Sequence, residues 1–255
     1  MRLHAYEWGD PASPPVVCLH GVTGHGGRFR ALAEQRLAAR YRVVSVDLRG
    51  HGASGWDPPW SIAAHVADLA ETTAALGIER ACWIGHSYGG RILMELAASH
   101  PERVERAVLL DPAIWIPPPA AATYAERERR DHVWPTVAEA VEERFAEGTL
   151  FPSSRAVMAA DMAERLVPGE DGLLRPNYSL SAAVTAFSEM ATLPAFPPVP
   201  TLIVRGERSI VTPDSLVELY RESVPDLELV DVPGFHNVLW DAFDETADAI
   251  ERFLA

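Results

Sequence analysis

Along the chain, short unbroken apolar runs alternate with stretches whose apolar residues recur every three or four positions. β-Branched runs occupy residues 2–7, 16–19, 42–46 and 81–84, and each of the last three closes in a turn containing Gly or Asp. Runs of this length without polar alternation predict strands covered on both faces, as in a parallel sheet. Between them, residues 28–40 carry Ala and Leu at helical spacing. Residues 62–76 repeat apolar positions with Asp68 and Glu71 on the opposite face, and 91–99 predict a helix stopped by Pro101. Strands alternating with helices predict βαβ units and an α/β fold, a mostly parallel, doubly wound open sheet.

After another strand pattern at 104–110 the rhythm breaks. Residues 113–195 run through Pro117, Pro118 and Pro119 and show no strand pattern. They predict helices at about 123–147, 153–166 and 179–191, interspersed with Trp134, Phe145, Phe151, Met158, Met162, Tyr178, Phe187 and Met190. Strand patterns resume at 201–204 and 227–232, and 245–254 predict a closing helix. The expected organisation is a core formed by 1–112 and 196–255 with an inserted helical cap, 113–195. Such a cap would lie over the carboxyl edge of the sheet, where open α/β folds bind ligands.

Composition narrows the chemistry. With 255 residues, 48% hydrophobic and 23% charged, the chain can bury one substantial core. Its net charge is −14 and all 22 basic residues are arginine, so no lysine is present to form a Schiff base. The acidic balance, with no basic run, argues against nucleic acid or an anionic membrane surface as partner. No apolar leader opens the sequence and no run of about 18 apolar residues occurs, so a cytoplasmic protein is expected. Cys18 and Cys82 sit inside strand-like runs and read as buried thiols. The nine histidines show no metal-ligand spacing, and nothing suggests a cofactor.

Gly85-His86-Ser87-Tyr88-Gly89 lies between a predicted strand and a predicted helix, the context that gives G-x-S-x-G its meaning as a nucleophile elbow. Such a turn presents the Ser87 hydroxyl at a helix N-terminus, where backbone amides favour developing negative charge. A His-Gly turn follows the strand at 16–19, in LHGVTGHGG. There the backbone N–H groups of Val22 and Tyr88 are expected to converge as an oxyanion hole. His236, on the glycine-containing loop VPGFHNVLWD after the last strand, is the candidate base. His20, His51 and His86 read as local structural residues.

Taken together, LHGVTGHG, VDLRGHGAS, IGHSYGG, VLLDPA and PGFHN resemble the α/β-hydrolase superfamily, in particular its small, cofactor-free, capped esterase-like members. The resemblance spans nearly the whole chain, although the first strand of the family's opening hairpin is missing or truncated. It implies Ser87 as nucleophile, His236 as base, Val22 and Tyr88 as oxyanion amides and 113–195 as the cap. Most such relatives place an aspartate three residues after the glycine corresponding to Gly206, where this chain has Ser209. Three carboxylates compete for the vacant role. Glu207 reads as a loop residue and Asp214 as a first-turn helix residue. Asp111 ends the strand AVLLD, a position that supplies the acid in some relatives, and is favoured here.

These parts imply a serine hydrolase that cleaves carboxylic esters of small to medium apolar substrates through an acyl-enzyme. A lactonase or C–C bond hydrolase on the same triad, and a non-catalytic binder of a small ligand, are the alternatives. The expected partner is a small ester or lactone. Cap aromatics and methionines predict an apolar pocket, with Trp115 and Trp134 facing it. No feature of the sequence speaks to oligomeric state.

Overall fold

The computed structural model describes residues 1–146, 153–196, 198–224 and 226–255. Seven strands form the main sheet: β1 (Ala5–Trp8), β2 (Pro15–Leu19), β3 (Arg42–Val46), β4 (Ala81–His86), β5 (Val104–Leu110), β8 (Thr201–Gly206) and β9 (Leu227–Val232). Their spatial order is β1-β3-β2-β4-β5-β8-β9. Only the β1–β3 pair at one edge is antiparallel. The sheet is therefore mostly parallel, as the unbroken apolar runs require.

The helices cover both faces. One face packs beneath α2 (Ile62–Ala75) and α3 (Tyr88–Ser99), with Val17, Leu19, Trp83, Leu109 and Ile203 pointing into it. The opposite face meets a helical stretch around α1 (Arg30–Leu32), with Val16, Cys18, Ile84, Val108 and Val204 pointing that way. Consecutive strand residues thus serve opposite cores, the period-two consequence of the pleat. Cys18 and Cys82 are both buried free thiols, and burial pushes the Cys82 thiol up to about 11.

Between β5 and β8 the described residues form four helices: α4 (Pro118–Glu128), α5 (Val137–Ala146), α6 (Arg155–Arg165) and α7 (Leu180–Glu189). Two sequence expectations change here. The pattern at 123–147 is two helices, because the chain is extended at Trp134, whose backbone exchanges hydrogen bonds with Leu174 (3.0 and 2.7 Å). The stretch also contains strands, β6 (Leu166–Pro168) and β7 (Leu174–Pro176), paired antiparallel. Three residues each, they are too short for a periodic signal. The α5–α6 pair encloses its own small core of Trp134, Ala140, Val141, Met158, Met162 and Leu166. By contrast, Tyr178, Ala183, Ala186 and Met190 join the main core, so α7 seats this region on the sheet. Phe151 and the end of the 123–147 pattern lie outside the described residues.

The chain continues through α8 (Asp214–Ser223), α9 (Val238–Asp241) and α10 (Phe243–Leu254). The last of these packs Ile250 and Phe253 on the α1 side of the sheet. Among the described residues no helix is long and apolar enough to cross a membrane.

Candidate active site

Strand β4 ends at His86 and α3 begins at Tyr88, so Ser87 alone makes the turn. Its backbone adopts φ 54° and ψ −116°, outside the regions L-residues favour. The turn is tight enough that side chains on its flanks have no room. A Cβ on Gly85 would lie 2.5 Å from the Gly89 carbonyl oxygen, and one on Gly89 would lie 2.3 Å from that of Leu19. The strain is held by neighbours: Ser87 N–H donates to Leu110 O, and Ala113 N–H donates to Ser87 O.

Strands β4 and β5 pair with His86 opposite Leu110, so the next residue on each, Ser87 and Asp111, leaves the sheet at the same level. Asp111 also has positive φ (41°) and is fully buried. Its N–H donates to Val204 O on β8 (2.7 Å). The strand-end turn directs its carboxylate to the loop after β9, where His236 Nδ1 lies 2.5 Å from Asp111 Oδ2. His236 is itself only 3% exposed. The same Oδ2 accepts a second hydrogen bond, from Ser209 Oγ, at 2.5 Å. Ser209 Oγ in turn accepts the N–H of Val211, which leaves the hydroxyl proton aimed at Asp111.

The other two carboxylates are elsewhere. Glu207 is exposed. Asp214 accepts from Arg205 at the start of α8 and is largely exposed. Of the three candidates weighed in the sequence, Asp111 is the one hydrogen-bonded to His236.

Buried imidazoles fix the surrounding loops. His20 Nδ1–H donates to Gly21 O (2.8 Å), while its Nε2 accepts the N–H of Leu48 (3.0 Å). That pairing requires the neutral ring, and burial holds the His20 pKa well below the usual histidine range. With Gly21 O held on one side of the planar peptide, the N–H of Val22 is directed to the other side. His51 Nε2–H donates to Val22 O (2.5 Å) and anchors that residue from its far end. His86 Nε2–H donates to His236 O (3.0 Å), and burial likewise depresses its pKa. The structural reading of these three histidines stands, and their task is to set the backbone of Val22 and the loop of His236.

Ser87, His236, Gly21 and Val22 open into one pocket, with an empty volume of about 970 Å³ that is partly open to solvent. Val22, Phe187, Met190, Val211 and Trp240 give it an apolar wall. Neither Trp115 nor Trp134 lines it, which corrects the sequence expectation. Trp115 packs against the main core and donates to Ala191 O (3.1 Å). Trp134 is 2% exposed within the α5–α6 core and donates to Glu143 (2.8 Å). Both indoles were aromatic residues in need of a core, and each found one with a partner for its N–H. The tryptophan at the pocket is Trp240, four positions after His236, against which the Arg28 guanidinium stacks 5.1 Å from the ring centroid. That spacing was visible in the sequence, on the loop already singled out.

The expectation of an apolar pocket holds for only part of the wall. Arg28, Arg127, Arg144 and Arg165 also line it, with Asp161 and Glu128. Arg28 grips Asp161 through both Nε (2.6 Å) and Nη2 (2.7 Å), and Arg165 Nε donates to the same carboxylate (3.1 Å). Burial alone would raise the Asp161 pKa, but Arg28, His25 and Arg165 outweigh it and hold the carboxyl far below the usual range. Glu128, fully buried, lies between Arg127 (3.5 Å) and Arg144 (3.6 Å) and accepts from Tyr178 Oη (3.0 Å). Nothing in the sequence signalled these ion pairs, because a charged residue on a helix ordinarily faces water.

Comparison with known proteins agrees with the geometry. A family model described as the alpha/beta hydrolase fold matches residues 14–243. The chain is 32% identical over 241 residues to Lipase LipV of Mycobacterium tuberculosis, covering 92% of this chain and 91% of that one. It is 31% identical to 2-(acetamidomethylene)succinate hydrolase of Mesorhizobium japonicum, covering 95% and 88%. A crystal structure of E-2-(acetamidomethylene)succinate hydrolase superposes with a TM-score of 0.86 at 27% identity, over 99% of this chain and 94% of that one.

Proposed function

Because the chain belongs to the α/β-hydrolase family, we propose that it is a serine hydrolase cleaving carboxylic esters through an acyl-enzyme, with Ser87, His236 and Asp111 as its triad. The hydrogen bond between His236 Nδ1 and buried Asp111 carries this reading, because it fixes both the tautomer and the direction of the imidazole. With Nδ1–H committed to the carboxylate, Nε2 is the atom that takes the Ser87 proton as the hydroxyl attacks the ester carbonyl. Asp111 stabilises the imidazolium so formed. The N–H groups of Val22 and Tyr88 receive the developing oxyanion, a contribution typically worth about 2.7–4 kcal/mol per donor. Proton return from Nε2 expels the alcohol, and water, activated by the same nitrogen, releases the acid. Similarity to a lipase over nine-tenths of both chains supports ester cleavage over the lactonase and C–C hydrolase alternatives.

The test combines labelling with turnover. A fluorophosphonate probe is expected to label the wild-type protein and not Ser87→Ala, and p-nitrophenyl esters are expected to turn over only with Ser87 present. Absence of both labelling and turnover in the folded wild-type protein would reduce it to a non-catalytic binder.

A further inference from the structure

Among the described residues, four arginines, Arg28, Arg127, Arg144 and Arg165, gather at the cap end of the pocket in a protein whose net charge is −14. Asp161 and Glu128 are already engaged, each between two of the arginines. Arg165, at the end of α6, is 6% exposed, and its Nη1 has no hydrogen-bond partner among the described residues although the side chain lines the cavity. Leaving a buried guanidinium N–H unpaired is costly, and an acceptor on a bound ligand would remove that cost. Arg127 contributes a second such atom, its Nε, on the Glu128 side of the same cavity.

We propose that the cap end of the pocket is a carboxylate-binding subsite centred on Arg165, so that the preferred substrate is an ester carrying a free carboxylate remote from the scissile bond. This rests on the serine-hydrolase reading above. A planar carboxylate matches the guanidinium fork and accepts charge-assisted hydrogen bonds from it. It also supplies an acceptor to Arg165 Nη1 without displacing Asp161 from Arg28. The apolar wall of Val22, Phe187, Met190 and Trp240 then accommodates the methylenes that join the two ends of the substrate.

The experiment compares mono-p-nitrophenyl adipate with its methyl ester, which has the same chain and no charge, after subtraction of uncatalysed hydrolysis. Wild-type kcat/KM is expected to favour the anionic ester by about 10- to 100-fold, the range of hydrogen bonds to charged groups. Arg165→Gln is expected to abolish that preference, read as the ratio of kcat/KM for the two esters in the same protein. Calorimetric titration of wild-type protein with adipate, which needs neither turnover nor a variant, is expected to show binding that Arg165→Gln removes. Adipate binding without turnover of either ester would keep the subsite and sink the hydrolase reading. Turnover with no preference for the anionic ester and no adipate binding would overturn the subsite and leave the hydrolase reading intact. An equal loss on both esters in Arg165→Gln, with adipate still bound, would likewise overturn it.

Discussion

Asp111 Oδ2 serves two donors, His236 and Ser209, and the pair are not equivalent. Removing the charge of the acid leaves the imidazole without its counter-ion and able to take the wrong tautomer. Asp111→Asn is therefore expected to lower kcat on the order of 10⁴-fold, as in other triads. Ser209→Ala leaves the His236 bond in place and takes away one neutral donor to a carboxylate. Its expected cost is about tenfold or less in kcat. Steady-state kinetics on both variants check the ranking, and an Asp111→Asn protein with most of its activity would exclude Asp111 from the triad. That Asp111 leaves the sheet level with Ser87 was legible in the sequence, because two parallel neighbours each end in a turn. That it faces His236 was an expectation drawn from relatives that place their acid after this strand. Ser209 read only as a missing acid, since the donor role depends on a side-chain rotamer and on Val211 N–H, neither of which leaves a sequence pattern.

Among elements, the strands of the main sheet match their sequence patterns closely, β3, β5 and β9 at both ends. Burial on both faces keeps the centre of β3 and the end of β5 apolar. The edge strand β9 alternates exposed Glu228 and Asp231 with less exposed aliphatics, and either pattern is legible. Elements between β5 and β8 are less so. The helices there pack partly on one another and partly on ion pairs, and the extended segment at Trp134 interrupts a pattern that still looks helical. The most buried ion pair between α6 and the core is Arg28–Asp161, with His25 also near that carboxylate (3.5 Å), beside the exposed pair Arg30–Glu164. Replacing one partner of a buried pair leaves the other charge uncompensated. Asp161→Asn is thus expected to destabilise the protein by about 3–5 kcal/mol. Urea unfolding measures this, and a change within about 1 kcal/mol of zero would mean that Arg28 and Arg165 find other acceptors.

For the molecule as a whole, buried histidines set the response to pH. Burial lowers His65 to about 3, and also lowers His20, His51 and His86, so all four are neutral in the folded protein near neutrality. The unfolded chain takes up protons at these rings near pH 6.5 while the folded protein does not. Between those values the unfolded state binds more protons, so stability rises with pH. It is fully present above about pH 6.5 and is lost as pH falls towards the folded-state values. His65 alone is expected to account for a loss of about 5 kcal/mol across that interval. His65→Gln is expected to reduce the slope of unfolding free energy against pH by about one proton at pH 5. Denaturant titrations from pH 7 to pH 4 check this, and an unchanged slope would show that His65 protonates in the folded state. The acidic composition suggested none of this, for net charge says little about which groups are buried.

The convergence of Ser209 and His236 on one carboxylate oxygen also means that the site has room for one negative charge beside the imidazole. Placing an aspartate at 209 while Asp111 remains would set two carboxylates against the same imidazole, and one of them would hold a proton instead of a charge. The single change Ser209→Asp is expected to lower activity, and adding Asp111→Ser is expected to recover it. A Ser209→Asp protein as active as wild type would show that the imidazole tolerates a second carboxylate, and that the two loops are independent of each other in charge.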